Sequence, residues 1–303
     1  MSTVHAGAGR FAPSPSGDLH LGNLRTALLA WLCARSTGRR FLIRMEDLDR
    51  VAPGSADRQL ADLAALGLDH DGEVTYQSTR TAVYDAAIAD LTRRGLTYEC
   101  FCTRREIAQA ATAPHGDPLP EGAYPGTCRD LTEAERDRRR DARPPAIRLR
   151  AAESSFTVHD LRHGEFTGVV DDLVLRRSDG VAAYNLAVVL DDAALEVDQV
   201  IRGDDLLPSS PRQAHLAGLL HLPVPRYLHV PLAVTADGRR LAKRDGPVTM
   251  AALAAVGVNA DGVRRLLTDS LGLPAVADPR RLLDGFDPMQ LPRRPWIVDP
   301  AGG

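Results

Sequence analysis

A Pro/Gly-rich turn set between an extended segment and a long apolar helix constrains this chain more than any other feature. Residues 11–16 read as a short extended piece entering Pro13-Ser14-Pro15-Ser16-Gly17. Leu21, Leu24, Ala27, Leu28, Trp31 and Leu32 then recur at helical steps, with Gly38 as the stop. Phe41-Leu42-Ile43-Arg44-Met45-Glu46 has the composition of a buried strand. Helical patterns follow over 56–66 and 79–94, the second ended by Gly95. A β-loop-α-β-α-α opening predicts an α/β fold on a parallel sheet, with ligands beyond the carboxyl ends of its strands.

From about 100 to 145 the texture changes to proline, glycine, cysteine and charge, as an insertion would. Strand-like runs follow at 146–150 and 169–176, and parallel-sheet character returns at 197–201 and 227–234. After Gly246 the pattern is polar and helical, with Val263, Leu266, Leu267 and Leu271 spaced for one face, whereas 280–303 carries little pattern. There is no internal repeat, and 303 residues leave room for two or three domains. No apolar run reaches membrane-spanning length and the first nine residues lack a signal-peptide layout, so a cytoplasmic protein with no membrane partner is expected. A net charge of −3 argues against wholesale coating of nucleic acid. Seven arginines between Arg136 and Arg150, against Asp137 and Asp141, predict either a solvated helix face or an RNA contact.

The 37 basic residues include one lysine, Lys243. A composition that otherwise uses arginine keeps an ammonium where a compact, mobile point charge is needed, as beside moving phosphate oxygens. A second pointer to phosphate is the stretch from Gly9 to Asn23. Its small residues let a ligand approach the backbone, and it ends at a helix N-terminus, which offers unpaired N–H groups and partial positive charge. His20, at that junction, can donate to a phosphate oxygen or simply cap the helix.

Gly9-Arg10-Phe11-Ala12-Pro13-Ser14-Pro15-Ser16-Gly17-Asp18-Leu19-His20-Leu21-Gly22-Asn23 resembles the HIGH motif of class I aminoacyl-tRNA synthetases, in its glutamyl form. Arg44 to Asp49, Tyr184 to Asp192, Ile201 to Asp205 and Pro211-Arg212-Gln213 resemble later blocks of the same branch. Arg240-Leu241-Ala242-Lys243-Arg244 resembles KMSKS, with Lys243 on the second lysine; Arg240 and Ala242 depart from it, and Ala242 removes a hydroxyl. The resemblance implies a Rossmann-like class I catalytic domain that joins an amino acid to ATP with Mg²⁺. His20 and Lys243 are its catalytic candidates, and Pro13, His20, Gly22, Asn23 and Lys243 its ATP-binding ones. In that reaction a carboxylate already ionised at pH 7 attacks phosphorus, so positioning and cations rather than a base do the work.

A zwitterion with a second carboxylate needs two cationic sites and one anionic one. Arg10 and Arg202 can fork onto carboxylates, Glu46 can accept an ammonium, and Ser14 and Tyr184 add hydroxyls. The resemblance makes these, with Phe11, Ala12 and Pro13, the positions for L-glutamate. Which arginine takes which carboxylate stays open.

Cys33 reads as a small core residue, whereas Cys100, Cys102 and Cys128 are spaced for a structural zinc site, which holds thiolates at about 2.3 Å and requires a fourth ligand. Chemistry alone favours His115, and three unmetallated core cysteines are the plainer alternative. Tyr124-Pro125-Gly126-Thr127-Cys128 resembles the glutamyl-queuosine tRNA(Asp) synthetases, the truncated members of the branch, in which a tyrosine completes the site, so Tyr124 is preferred. Only 59 residues follow Arg244, too few for a large anticodon-reading domain, and Leu206 stands where full-length enzymes usually carry histidine. The resemblance therefore implies tRNA(Asp) carrying queuosine as acceptor and a monomer. The alternatives are a short glutamyl-tRNA synthetase charging the tRNA 3′ end and a non-catalytic RNA-binding paralogue. The expected layout is a Rossmann-like first half (1–98), a zinc-containing insertion (99–179), the second Rossmann-like half (180–240), and a KMSKS-like loop with a small helical subdomain (241–303).

Overall fold

The apolar helix behind the turn is the hub of the fold. In a computed structural model, which describes residues 7–111, 124–239, 241 and 248–298, it forms α1 (Leu21–Ser36) and buries eleven of its sixteen residues. It packs on β1 (Ala8–Phe11) and β2 (Arg40–Met45), which pair in parallel. The strand before the turn thus lies earlier than the 11–16 expected. Ala8 and Gly9 bond to neighbours on both sides, whereas the prolines that follow cannot supply ladder N–H groups. Next come α2 (Ser55–Ala65), β3 (Thr75–Tyr76), α3 (Thr81–Arg93), β4 (Thr97–Cys100), α4 (Arg104–Ala111), α5 (Glu133–Arg140) and β5 (Ala146–Leu149).

An antiparallel hairpin follows, β6 (Ser155–Asp160) and β7 (Gly164–Val169), and then β8 (Val174–Arg176). The strand-like run at 169–176 is therefore divided between the end of β7 and β8. Beyond it lie α6 (Tyr184–Ala194), β9 (Val197–Gly203), α7 (Ser210–Leu219), β10 (Arg226–Val230), β11 (Ala233–Val234), α8 (Met250–Ala255), α9 (Ala260–Ser270) and β12 (Trp296–Ile297).

The main sheet runs β3-β2-β1-β9-β10-β6-β7, parallel except for the last pair. The hairpin inside the 99–179 interval thus hydrogen-bonds onto this sheet, while β4-β5-β8 form a separate antiparallel sheet. From β1 the chain winds one way to β2 and β3 and the other way to β9 and β10. The crevice at the carboxyl ends of β1 and β9 is therefore the topological switch point, where open α/β sheets take their ligands. Val263 and Leu267 of α9, and Leu271 just past its end, enter the same core as α1, but Leu266 is 39% exposed, so the apolar face is narrower than its spacing suggested. The weakly patterned C-terminal stretch contributes Leu282, Leu291 and Val298 to that core. No helix among the described residues is long and apolar enough to cross a membrane.

Candidate active site

The head of α1 is capped by His20, whose Nδ1 accepts the Asn23 backbone N–H at 3.2 Å while Asn23 Oδ1 accepts from His20 N at 3.3 Å. The capping role and the donor role are therefore compatible. In its neutral form, a ring that accepts at Nδ1 carries its proton on Nε2, the nitrogen that can donate. Gly22 has a steric reason: a Cβ there would come within 3.0 to 3.1 Å of the His20 ring and the Ala233 methyl.

The turn before α1 is clamped by α2. Gln59 Nε2 donates to Ser14 O at 3.1 Å and Gly17 O at 2.6 Å, Ser55 Oγ donates to Pro15 O, and Ala52 N donates to the same carbonyl at 2.8 Å. Gln59, a buried polar residue in an otherwise ordinary amphipathic helix, was the sequence signal for this clamp and was not read as one.

Across the switch point lies a cavity of about 480 Å³. Arg10, Phe11, Ala12, Pro13, Ser14, His20, Gly22, Asn23, Glu46, Tyr184 and Arg202 all line it, together with Leu206 and Leu241. Every described residue expected at an ATP or glutamate position is thus brought to one wall. Tyr184 stands at the rim, 41% exposed, as the first residue of α6. His115, Arg240, Ala242, Lys243 and Arg244 lie outside the described residues. The flanks of the KMSKS-like stretch are described: Leu241 is in the cavity wall, Val248 O accepts from Leu21 N at 2.8 Å, and Thr249 bridges to His20.

Two carboxylates organise the cations of this wall. Asp192 Oδ1 accepts from Arg10 Nε at 3.3 Å and from Arg44 Nη1 at 2.5 Å, and Arg44 Nη2 continues to Glu46 Oε1 at 3.1 Å. Arg44 is fully buried behind the cavity. Burial alone would raise the Asp192 carboxyl, but Arg44 and Arg10 outweigh it and hold the group below the usual carboxylate range. For Glu46 burial wins over the same two arginines, and its pKa is raised. Arg202 instead donates to His229, Gln213, Ser210 and the Leu206 carbonyl, and burial lowers its pKa. Arg10 and Arg44 therefore share Asp192 and Glu46, whereas Arg202 makes no ion pair among the described residues, so two guanidiniums and one carboxylate of this network, Arg10, Arg202 and Glu46, face the cavity. Asp192 and His229 were missed as working residues because their contacts with Arg10, Arg44 and Arg202 span 182, 148 and 27 residues of chain.

The second site is the thiol cluster. Cys100, Cys102 and Cys128 bring their Sγ atoms within 4.8 Å of one another, a group that could hold a metal ion. Cys102 and Cys128 Sγ are 3.5 Å apart, and Tyr124 Oη lies 3.3 Å from Cys100 Sγ and 3.6 Å from Cys102 Sγ while accepting from Cys128 N at 2.8 Å. A tetrahedral ion with zinc-like bonds sets S···S at about 3.8 Å and O···S at about 3.5 Å, so the Cys102–Cys128, Tyr124–Cys100 and Tyr124–Cys102 separations suit such an ion to within a few tenths of an ångström. Arg148 covers the Tyr124 ring at 3.7 Å. The arginine-rich run mostly braces this region. Arg139 donates to Cys128 Sγ, Arg140 pairs with Glu99, Glu133 and Asp137, Arg143 donates to Phe101 O, and Arg148 and Arg150 bond to Asp172 O and Arg129 O.

Residues 8–270 match the family described as tRNA synthetases class I (E and Q), catalytic domain. The chain is 66% identical over 297 residues, 98% of its own length and 94% of the relative's, to a glutamyl-Q tRNA(Asp) synthetase from Nocardia farcinica. It is 52% identical to a protein of that name from Cutibacterium acnes, over 94% of this chain and 82% of the relative. Among solved structures, a glutamate tRNA ligase from Elizabethkingia meningosepticum in complex with its amino acid matches with a TM-score of 0.80 at 26% identity, covering 95% of this chain and 66% of that one. The glutamate-tRNA synthetase from Elizabethkingia anophelis matches at 0.82 and 26%, over 96% and 68%.

Proposed function

Because the chain belongs to the class I tRNA synthetases of the glutamate and glutamine branch, we propose that it activates L-glutamate with ATP and passes it to queuosine in the anticodon loop of tRNA(Asp). The acceptor is inferred from the relatives: identity is 66% and 52% to two glutamyl-Q tRNA(Asp) synthetases but 26% to two glutamate-specific ligases. The observation that carries the amino acid is that Arg10, Arg202 and Glu46 line one cavity, two cations and one anion that complement the two carboxylates and the ammonium of glutamate.

In the first step a carboxylate oxygen of glutamate attacks the α-phosphorus in line, the bond to pyrophosphate breaks, and a mixed anhydride with AMP results. In the second, a hydroxyl of the queuosine cis-diol attacks the activated carbonyl and AMP leaves. We assign Arg10 and Arg202 to the two carboxylates of glutamate and Glu46 to its ammonium. Phe11, Ala12, Pro13 and Ser14 form the adjoining wall, and Tyr184 stands at the rim. His20, Gly22, Asn23 and Pro13 receive ATP at the head of α1, where His20 Nε2–H and the partial positive charge of the helix end meet phosphate. Mg²⁺, carried with ATP, neutralises phosphate charge. Support for Lys243 as the mobile cation is its motif and its described flanks, Leu241 in the cavity and Val248 on α1. Cys100, Cys102, Cys128 and Tyr124 would hold one structural zinc ion, which ties the end of β4 to the segment before α5.

The test is a pair of assays with labelled glutamate. Label is expected on queuosine-containing tRNA(Asp) and not on tRNA(Glu). The opposite distribution would identify a short glutamyl-tRNA synthetase, and absence of glutamate-dependent pyrophosphate exchange would identify a non-catalytic paralogue.

A further inference from the structure

Arg10 and Arg202 face one cavity from neighbouring strands, but the protein treats their charges differently. Arg10 has a carboxylate partner in Asp192. The four hydrogen bonds of Arg202 go to neutral acceptors: His229 Nε2 at 3.0 Å, Gln213 Oε1 at 2.9 Å, Ser210 Oγ at 2.8 Å and Leu206 O at 3.4 Å. Four of its five N–H groups are thereby fixed among the described residues, and its charge is left uncancelled in a buried place.

Behind His229 stands a carboxylate. Asp160 Oδ2 lies 2.7 Å from His229 Nδ1 and accepts the His229 backbone N–H at 2.9 Å, and both side chains are 0% exposed. Since Nε2 offers its lone pair to Arg202, the ring proton sits on Nδ1 and is donated to Asp160. Burial, opposed by Asp160 and reinforced by Arg202, lowers the His229 pKa and keeps the ring neutral. Asp160 also accepts the backbone N–H groups of Arg162 and His163 on its other oxygen, so its own charge is well solvated by the fold.

An aspartate in direct contact would orient Arg202 equally well and would also cancel it. The imidazole separates these two effects. We propose that His229, held by Asp160, is a positioning and specificity residue: it presents Arg202 as a desolvated, uncancelled cation, so that the pocket takes an amino acid with a side-chain carboxylate in preference to its amide. A buried cation gains most from an anion and little from a neutral amide, which leaves the charge uncompensated. The inference rests on the assignment of Arg202 to a glutamate carboxylate made above.

Three variants test it in the full chain: His229→Leu, His229→Gln and His229→Glu. Glutamate-dependent and glutamine-dependent pyrophosphate exchange are measured for each, with KM for ATP and a thermal melt. His229→Leu removes the acceptor for Arg202 and should raise KM for glutamate roughly ten- to hundredfold, the value of a hydrogen bond to a charged group, with KM for ATP within about twofold. His229→Gln restores an acceptor near Nε2 and should recover most of that loss. His229→Glu supplies Arg202 with an internal counter-ion and should cut the preference for glutamate over glutamine at least about tenfold relative to His229→Gln. A KM for ATP that rises in step with that for glutamate would overturn the proposal. Should His229→Leu fail to fold, the isosteric Gln and Glu pair decides, and equal preferences in the two overturn it. A parent chain without glutamate-dependent exchange would instead refute the activation reading itself.

Discussion

Asp192→Asn isolates charge from shape at the floor of the pocket. The carboxylate is 7% exposed and its Oδ1 serves Arg10 and the fully buried Arg44, so the amide keeps the volume and removes the only negative charge that Arg10 contacts among the described residues. Breaking a buried pair by removing one partner costs about 3–5 kcal/mol, because the other charge stays desolvated. For a chain of this size that corresponds to a melting temperature lower by roughly 6–15 °C. Calorimetry or circular dichroism reads the melt, and pyrophosphate exchange reads KM for glutamate, which should rise because Arg10 and Glu46 depend on the same network. The neighbouring Asp191→Asn is the control. Asp191 is equally buried but accepts from Gln77 at 2.9 Å, Arg80 at 2.5 Å and Tyr84 at 2.8 Å, away from the cavity, so its loss should lower the melt without moving KM for glutamate. The pH sign is defined as well. The Asp192 pKa is depressed in the fold, so its stabilisation is fully present above an unfolded value of about 3.9 and lost as pH falls through the lower folded value. The gap between parent and variant should therefore be full at neutral pH and close in acid. A melt lowered by less than about 2 °C, or an Asp191→Asn variant that raises KM as much as Asp192→Asn, would refute the reasoning.

Three further outcomes are expected. Asparagine is a good helix N-cap, so His20→Asn should keep the melt within about 2 °C while slowing exchange roughly hundredfold, whereas His20→Ala should lose both; undiminished exchange in His20→Asn would remove His20 from the phosphate site. Elemental analysis should find about one zinc ion per chain, lost in Cys102→Ser and bound more weakly in Tyr124→Phe, with chelation lowering the melt of the parent. Full zinc affinity in Tyr124→Phe would exclude the phenol as a ligand. Lys243→Arg should slow adenylate formation although charge is kept, because a planar fork cannot follow the departing pyrophosphate as an ammonium does, and parent-rate exchange would contradict this.

Much of the architecture could be read locally. The span of α1, β2 as a buried strand, and α2 and α3 follow from apolar spacing and glycine stops, because each signal lies within a dozen residues. The β6–β7 hairpin was not read as part of the main sheet, since its partner β10 lies about 67 residues on. Asp160, a charged residue at the inward-facing end of β6, was the visible hint that something distant needed a carboxylate. The arginine-rich run shows the opposite failure. Its charge was legible, but its use in bracing the thiol cluster depends on carbonyls and acids contributed by β4 and by the segments around β5 and β8.

What the amino-acid order determined by itself is therefore short-range: the turn into α1, the histidine at its head, and the spacing of the thiols. The long-range decision was which cations would be cancelled. Arg10 meets Asp192 from 182 residues away, while Arg202 meets an imidazole contributed by the next strand. Strand order makes those encounters, and in a buried place a few ångströms separate a neutralised guanidinium from one still able to select a carboxylate.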